Sequence, residues 1–208
     1  MDFAYLHFNG PGTNLKVGLA EGHEWMGGAS MAQNGIVCNP NIPSEEVFTT
    51  PHCLKVDGEV SATKPLSHQG SLLEKIKVKF EGGKITQANA TKGEEVLIKV
   101  LDSDEGARRL GEVALVPDNS PISQTGLLFY NTLFDENAAC HIALGQCYTK
   151  CFKNQNLTKE EISSQGGNSS MIHIDWMIGS NQIDIDGIKQ NGEITPIFRK
   201  GKWAQKFK

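Results

Sequence analysis

His173 and Asp175 stand two residues apart inside the otherwise apolar stretch MIHIDWMIGS. Side chains two apart on a strand share a face, so an imidazole and a carboxylate meet there. Two readings fit: a hydrogen-bonded core pair, or two ligands of a cation. Burying Asp175 as an ion beside Ile174, Trp176 and Met177 is costly unless a positive charge compensates it, which is the argument for the cation. Further donors lie upstream. His141 and Tyr148 are seven apart in DENAACHIALGQCYTKCF, whose length and apolar period predict a helix with Asp135 as its N-cap. Seven residues make about two turns, so both side chains would project the same way. Glu112 opens the run EVALV, and Glu45 and Glu46 precede VFTTP. Adjacent side chains of an extended segment point in opposite directions, so only one of that pair can face a given site. Taken alone, each of these carboxylates reads first as a charge reaching water.

Two histidines, at least three carboxylates and a tyrosine make a nitrogen and oxygen donor set. That set suits catalytic zinc, cobalt or manganese rather than structural zinc held by thiolates. Cys140, Cys147 and Cys151 fall on a neighbouring stripe of the same predicted helix but lack Cys-x2-Cys pairing. They read as a buried face of small residues. His7, His23, His52 and His68 lie in polar or turn-rich settings and read as surface or core residues.

The elements that must position these groups are mostly short strands. NGPGT, in the N-terminal stretch, reads as a plain turn, because it lacks the Lys-Ser/Thr of a phosphate-binding loop. KIKVKFEGGKITQANA alternates on both sides of Glu81-Gly82-Gly83, the pattern of a hairpin. From Glu94, the apolar stripe Val96, Leu97, Val100, Leu101 predicts a helix, and Asp104 can N-cap a second short one over EGARRL. EVALV reads as a buried strand stopped by Pro117. Thr158 to Glu161 has the form of a capping box inside a polar surface excursion. IHIDWMIGS, QIDIDGI and PIFRKGKW return to strands. With no repeat and no linker, the simplest architecture is one compact, strand-rich α+β domain with mixed sheets and a few helices.

Composition removes several classes of partner. The chain has 208 residues, 38% of them hydrophobic and 21% charged, as expected of an ordinary globular protein. A formal net charge of -4 and a pI of about 5.9 argue against nucleic acid and anionic membranes. There is no apolar run near 20 residues and no basic-plus-apolar leader, so the expected location is the cytoplasm. Five cysteines, an odd number without a secreted spacing, are expected as reduced thiols. The glycosylation-type triplets at Asn89, Asn156 and Asn168 are then chance matches.

Several longer motifs sharpen this reading. HFNGPGTNLKVGLAEGHEWMGG, NIPSEEVFTTPH, RRLGEVALVP, SPISQTGLLFYNTLFDENAACHIALG and HIDWMIGS, in that order, resemble the M29 family of metallo-aminopeptidases. The resemblance implies that Glu46, Glu112, His141, His173 and Asp175 are metal ligands and that Tyr148 is the active-site tyrosine. Glu45 is then a candidate general base or a residue supporting a ligand. It further implies two divalent ions (zinc, cobalt or manganese, with magnesium an option) sharing a carboxylate, for which Glu112 is the choice. The expected activity is hydrolysis of N-terminal residues from peptides with a free N-terminus, in a homodimer. Family members are about twice this length, so residues 1–208 are expected to be the C-terminal catalytic, metal-binding domain, without the family's N-terminal α/β domain. Two alternatives are an inactive metal-binding or oligomerisation fragment and a metallohydrolase of a non-peptide substrate.

Overall fold

The computed structural model describes residues 2–205. Alternation dictates its main sheet. In Tyr5–Gly10 and Thr13–Leu19, Leu6 and Phe8 pair with Val17 and Leu15, and all four are fully buried. The turn between them is the expected plain one. Eight strands follow in the spatial order Lys84–Asn89, Lys77–Glu81, Pro51–Ser61, Thr13–Leu19, Tyr5–Gly10, Asp184–Ile188, Ile194–Arg199, Lys202–Trp203. The EGG hairpin forms as expected, with Gly82 and Gly83 at positive φ; a side chain on Gly83 would strike the Cys53 carbonyl.

A second sheet carries the candidate donors. Its order is His173–Met177, His141–Gly145, Leu110–Leu115, Val47–Thr49, Met26–Gly27. Every strand pairing among the described residues is antiparallel. The strand-rich α+β class is as expected, but the sheets are not mixed, because no long crossover returns a strand in the same direction. One apolar cluster, including Phe8, Leu15, Val56, Phe80, Phe198, Val113, Ile142 and Trp176, joins the two sheets face to face. Each such side chain contributes roughly 1.5–3 kcal/mol by burial.

Helices are few. Glu94–Leu101 forms as predicted, burying Leu97 and Leu101. Lys159–Ser164 carries the expected capping box of Thr158 and Glu161. Two expectations fail. EGARRL is a turn, because Asp104 accepts from the amides of Gly106 and Met171 and from the Ser170 hydroxyl, tying that turn to the approach of the His173 strand. The long helix expected from Asp135 is instead the short helix Thr132–Asp135, a 3-10 turn at Glu136–Ala138, the strand His141–Gly145 and another 3-10 turn at Thr149–Cys151. Its N-cap is Asn131, while Asp135 is buried and accepts from the Phe129 and Asn131 amides. The middle segment is apolar all round because both faces of its strand are covered. An apolar period cannot separate that case from a buried helix.

Candidate metal centre

Parity and one irregularity place the donors together. Ala143 pairs with Glu112 on one side and with Asp175 on the other; Ala114 pairs with His141, and Gly145 with His173. Side chains directly opposite across a ladder share a face, so Glu112, His141, His173 and Asp175 all rise from the face turned away from the core. Glu112 gets there through a bulge. The register slips between Leu110, opposite Leu144, and Glu112, opposite Ala143, making Gly111 the extra residue. Without the slip Glu112 would share the core face of Leu110. A Cβ on Gly111 would come within 2.4 Å of the Gln146 and Gly145 carbonyl oxygens, so glycine is needed at the bulge.

Glu46, just before the Val47–Thr49 strand, completes the set. Its Oε1 lies 3.0 Å from His141 Nε2, and Glu112 Oε1 lies 3.9 Å from the same nitrogen. On the other side, Glu112 Oε2 is 3.2 Å and Asp175 Oδ2 3.5 Å from His173 Nε2. Two donor groups result, Glu46/Glu112/His141 and Glu112/His173/Asp175, each with its ligand atoms within 4.8 Å of one another. Glu112 is common to both. The contacts converge without being directed at one another: both Nε2 atoms are buried and neither makes a hydrogen bond. The other ring nitrogens are fixed, His141 Nδ1 donating to the Ala139 carbonyl at 3.0 Å and His173 Nδ1 to that of Gln146 at 2.7 Å. That tautomer turns each Nε2 lone pair into the cluster, the usual orientation of a metal-binding histidine.

The electrostatics fit a cation. Burial pushes the Glu112 carboxyl up, with Asp175 adding to the effect against the opposing pull of His173. Burial by itself would lower both imidazoles, but Glu46, Asp175 and Glu112 outweigh it and bring His141 up to about 10. Asp175 and Glu112 do the same for His173, up to about 11. Glu136 is a fourth carboxylate that the spacing did not reveal. Burial, and then Asp175, Glu46 and Glu112 against His141, push it up to about 8, and Asn41 donates to its Oε1 at 2.9 Å. In place of the protons that these carboxylates hold on the imidazoles, divalent cations can take up the same negative charge. Oxygen and nitrogen donors with two orphaned buried nitrogens are the chemistry such ions require.

Glu45 is exposed and stands outside both groups. Tyr148 lies beyond the end of the His141–Gly145 strand, not on a shared helix face, yet it reaches the same place. Its ring sits 4.7 Å from that of His173 and 5.7 Å from Phe48, and Thr50 donates to its carbonyl at 3.0 Å. Burial and the neighbouring carboxylates, Glu112 first, push its phenol well above the usual range. Cys140, Cys147 and Cys151 are buried and belong to neither donor group, although Cys151 is close enough to feel the Glu112 charge. Burial raises Cys140 and Cys151 to about 12 and Cys147 to about 11, which keeps them as thiols.

The comparisons with known proteins point to a metalloprotease family. Residues 1–203 match the family model described as thermophilic metalloprotease (M29). The chain belongs to the M29 family. Aminopeptidase T of Thermus aquaticus is 56% identical over 202 residues, 97% of this M29 chain and 49% of the relative. Aminopeptidase 2 of Geobacillus stearothermophilus is 49% identical over 203 residues, again 97% of this chain and 49% of the relative. Among solved structures, wild-type AmpT from Thermus thermophilus superposes with a TM-score of 0.92 at 54% identity, covering 98% of this chain and 50% of that one. The M29 chain thus spans about half the length of the relatives it matches. A 2,5-dihydroxypyridine dioxygenase from Pseudomonas putida, with a TM-score of 0.58 and 14% identity, shares the fold alone.

Proposed function

We propose that residues 1–208 are the C-terminal, metal-binding catalytic domain of an aminopeptidase, holding two divalent ions bridged by Glu112 and acting on peptides with a free N-terminus. Zinc, cobalt, manganese and magnesium are the candidate ions. The observation that carries this reading is the pair of three-donor groups sharing Glu112. When bound, such ions supply a water acidified towards neutral pH and positive charge beside the scissile carbonyl. The chain supplies the rest. Glu46, Glu112 and Asp175, with His141 and His173, would hold the ions beside which the substrate's free N-terminal amine is placed. Tyr148, kept protonated by its surroundings, donates a hydrogen bond to the oxyanion that develops on the carbonyl, a contribution of roughly 10²–10³ in rate for one donor. His141 and His173, held by backbone carbonyls, keep their rings aligned throughout. Glu45 takes no part in this scheme.

By family resemblance, the working unit is a homodimer in the cytoplasm. Among the described residues no helix is long and apolar enough to cross a membrane. The half-length match to the relatives favours a second reading, a metal-binding or oligomerisation module without turnover. One experiment separates the two. Chain loaded with Co²⁺ or Zn²⁺ should carry two equivalents by elemental analysis and release chromophore from aminoacyl nitroanilides but not from their N-acetylated forms. Two equivalents without turnover would leave the metal-binding module; no bound metal would remove the aminopeptidase reading and leave only an oligomerisation module, and cleavage of the blocked forms would point to another hydrolase activity.

A further inference from the structure

Lys150 stands at the mouth of the metal centre in a setting unlike an ordinary surface lysine. Its Nζ lies 4.8 Å from the Phe48 ring centroid and 5.1 Å from that of Tyr148. Tyr148 in turn lies 4.7 Å from the His173 ring. The three aromatic groups form a short path from a candidate ligand to a cation. Ring faces attract an ammonium group without neutralising it. Among the described residues Lys150 takes part in no ion pair, although four carboxylates gather just beyond the rings. The mouth therefore presents one held ammonium outside the donor cluster, free to meet an anion.

We propose that Lys150 receives the C-terminal carboxylate of short peptide substrates and so sets a preference for dipeptides and tripeptides with a free acid. The inference rests on the aminopeptidase reading, in which the N-terminal amine lies at the metal centre. Lys150 then offers, at the other end of a short substrate, the charge that its carboxylate requires. Length supports it. The two ring contacts in series put Lys150 within about 10 Å of the His173 ring, and an extended residue spans roughly 3.3–3.6 Å. Three extended residues, about 10 Å, or two, about 7 Å, with a hydrogen bond of about 3 Å to the ammonium, cover that distance, whereas a longer peptide carries its carboxylate past the lysine. Lys150 is thus a specificity residue and takes no part in bond cleavage.

The test compares leucylglycine with leucylglycinamide on the metal-loaded chain, using affinity by calorimetry and kcat/KM by product assay. The free acid should be favoured by about fivefold, roughly 1 kcal/mol at tenfold per 1.4 kcal/mol, and the preference should fall as salt rises. Lys150→Gln should bring the ratio to near one, and Lys150→Arg should keep it. A purely structural role of Lys150 would move both ligands together and leave the ratio as it was, which overturns the proposal. Equal benefit for the amide of leucylglutamate would assign the lysine to an acidic side chain and likewise overturn it, as would failure of both dipeptides to bind. Should the affinity ratio respond to Lys150 without any turnover, the carboxylate assignment stands while the aminopeptidase reading falls.

Discussion

Glu112→Gln is the sharpest perturbation of the centre, because it takes one ligand from both donor groups while keeping the shape of the side chain. The carboxylate is buried, lies 3.9 Å and 3.2 Å from the two imidazole Nε2 atoms, and is the one residue common to both groups. In the metal-free chain its loss has opposing effects. The histidines lose a partner, yet each keeps another, Glu46 at 3.0 Å and Asp175 at 3.5 Å. At the same time the repulsion and desolvation that raise the Glu112 pKa disappear. The metal-free melting temperature should therefore move by no more than about 2–4 °C, the equivalent of roughly 1 kcal/mol for a chain of this size. Metal tells the variants apart. At free metal a hundredfold above Kd, binding stabilises the wild-type fold by about 2.7 kcal/mol, which corresponds to a rise of about 5–11 °C. The variant should lose at least one metal equivalent and most of that rise. Calorimetric melting with and without Co²⁺, beside elemental analysis of the same samples, measures both. Two equivalents and an undiminished rise in Glu112→Gln would refute the shared ligand.

Two other outcomes follow from the same geometry. Tyr148→Phe should keep its full metal content and, where turnover is measurable, lose roughly 10²–10³ in kcat; an unchanged kcat would remove the tyrosine from oxyanion binding. Asp104→Ala should lower stability at pH 7 by about 1–2 kcal/mol, since three partly solvated hydrogen bonds to Gly106, Ser170 and Met171 are lost. The Met171 amide, ahead of the other contacts, holds the Asp104 carboxyl below the usual carboxylate range. A lowered carboxylate pKa stabilises the fold above its unfolded value and ceases to do so as pH falls through the folded one. The gap between Asp104→Ala and wild type should thus narrow below about pH 4; a gap that stays constant from pH 7 to pH 2.5 would contradict the assignment.

Local periods made much of the fold legible. The EGG hairpin and the helix from Glu94 each bury one face or one stripe, and alternation or helical spacing records that, whereas the strands carrying Glu112, His173 and Asp175 are covered on both faces and were legible as short apolar runs. The segment around His141 was not legible, because a strand covered on both faces carries no period of its own. Its helical reading still grouped His141 with Tyr148, by an argument that the structure replaces with the contact between the Tyr148 and His173 rings. Adjacent Glu45 and Glu46 do split as an extended segment requires, one outside and one inside. Glu136 could not be found, since its place depends on Asn41, 95 residues earlier in the chain. Nor could the Gly111 bulge, although glycine immediately before a strand carboxylate is the trace it leaves in LGEVAL.

That bulge separates two kinds of inheritance within one strand. Up to Leu110 the odd and even positions answer to the packing between the sheets; from Glu112 onwards the face that Leu110 would have claimed answers to chemistry. A single extra residue thus lets the core and the centre change independently, each on its own side of the same ribbon. Losing it would not remove a ligand from the sequence at all. It would only turn the ligand inward, leaving a chain whose composition still promises a metal and whose geometry no longer offers one.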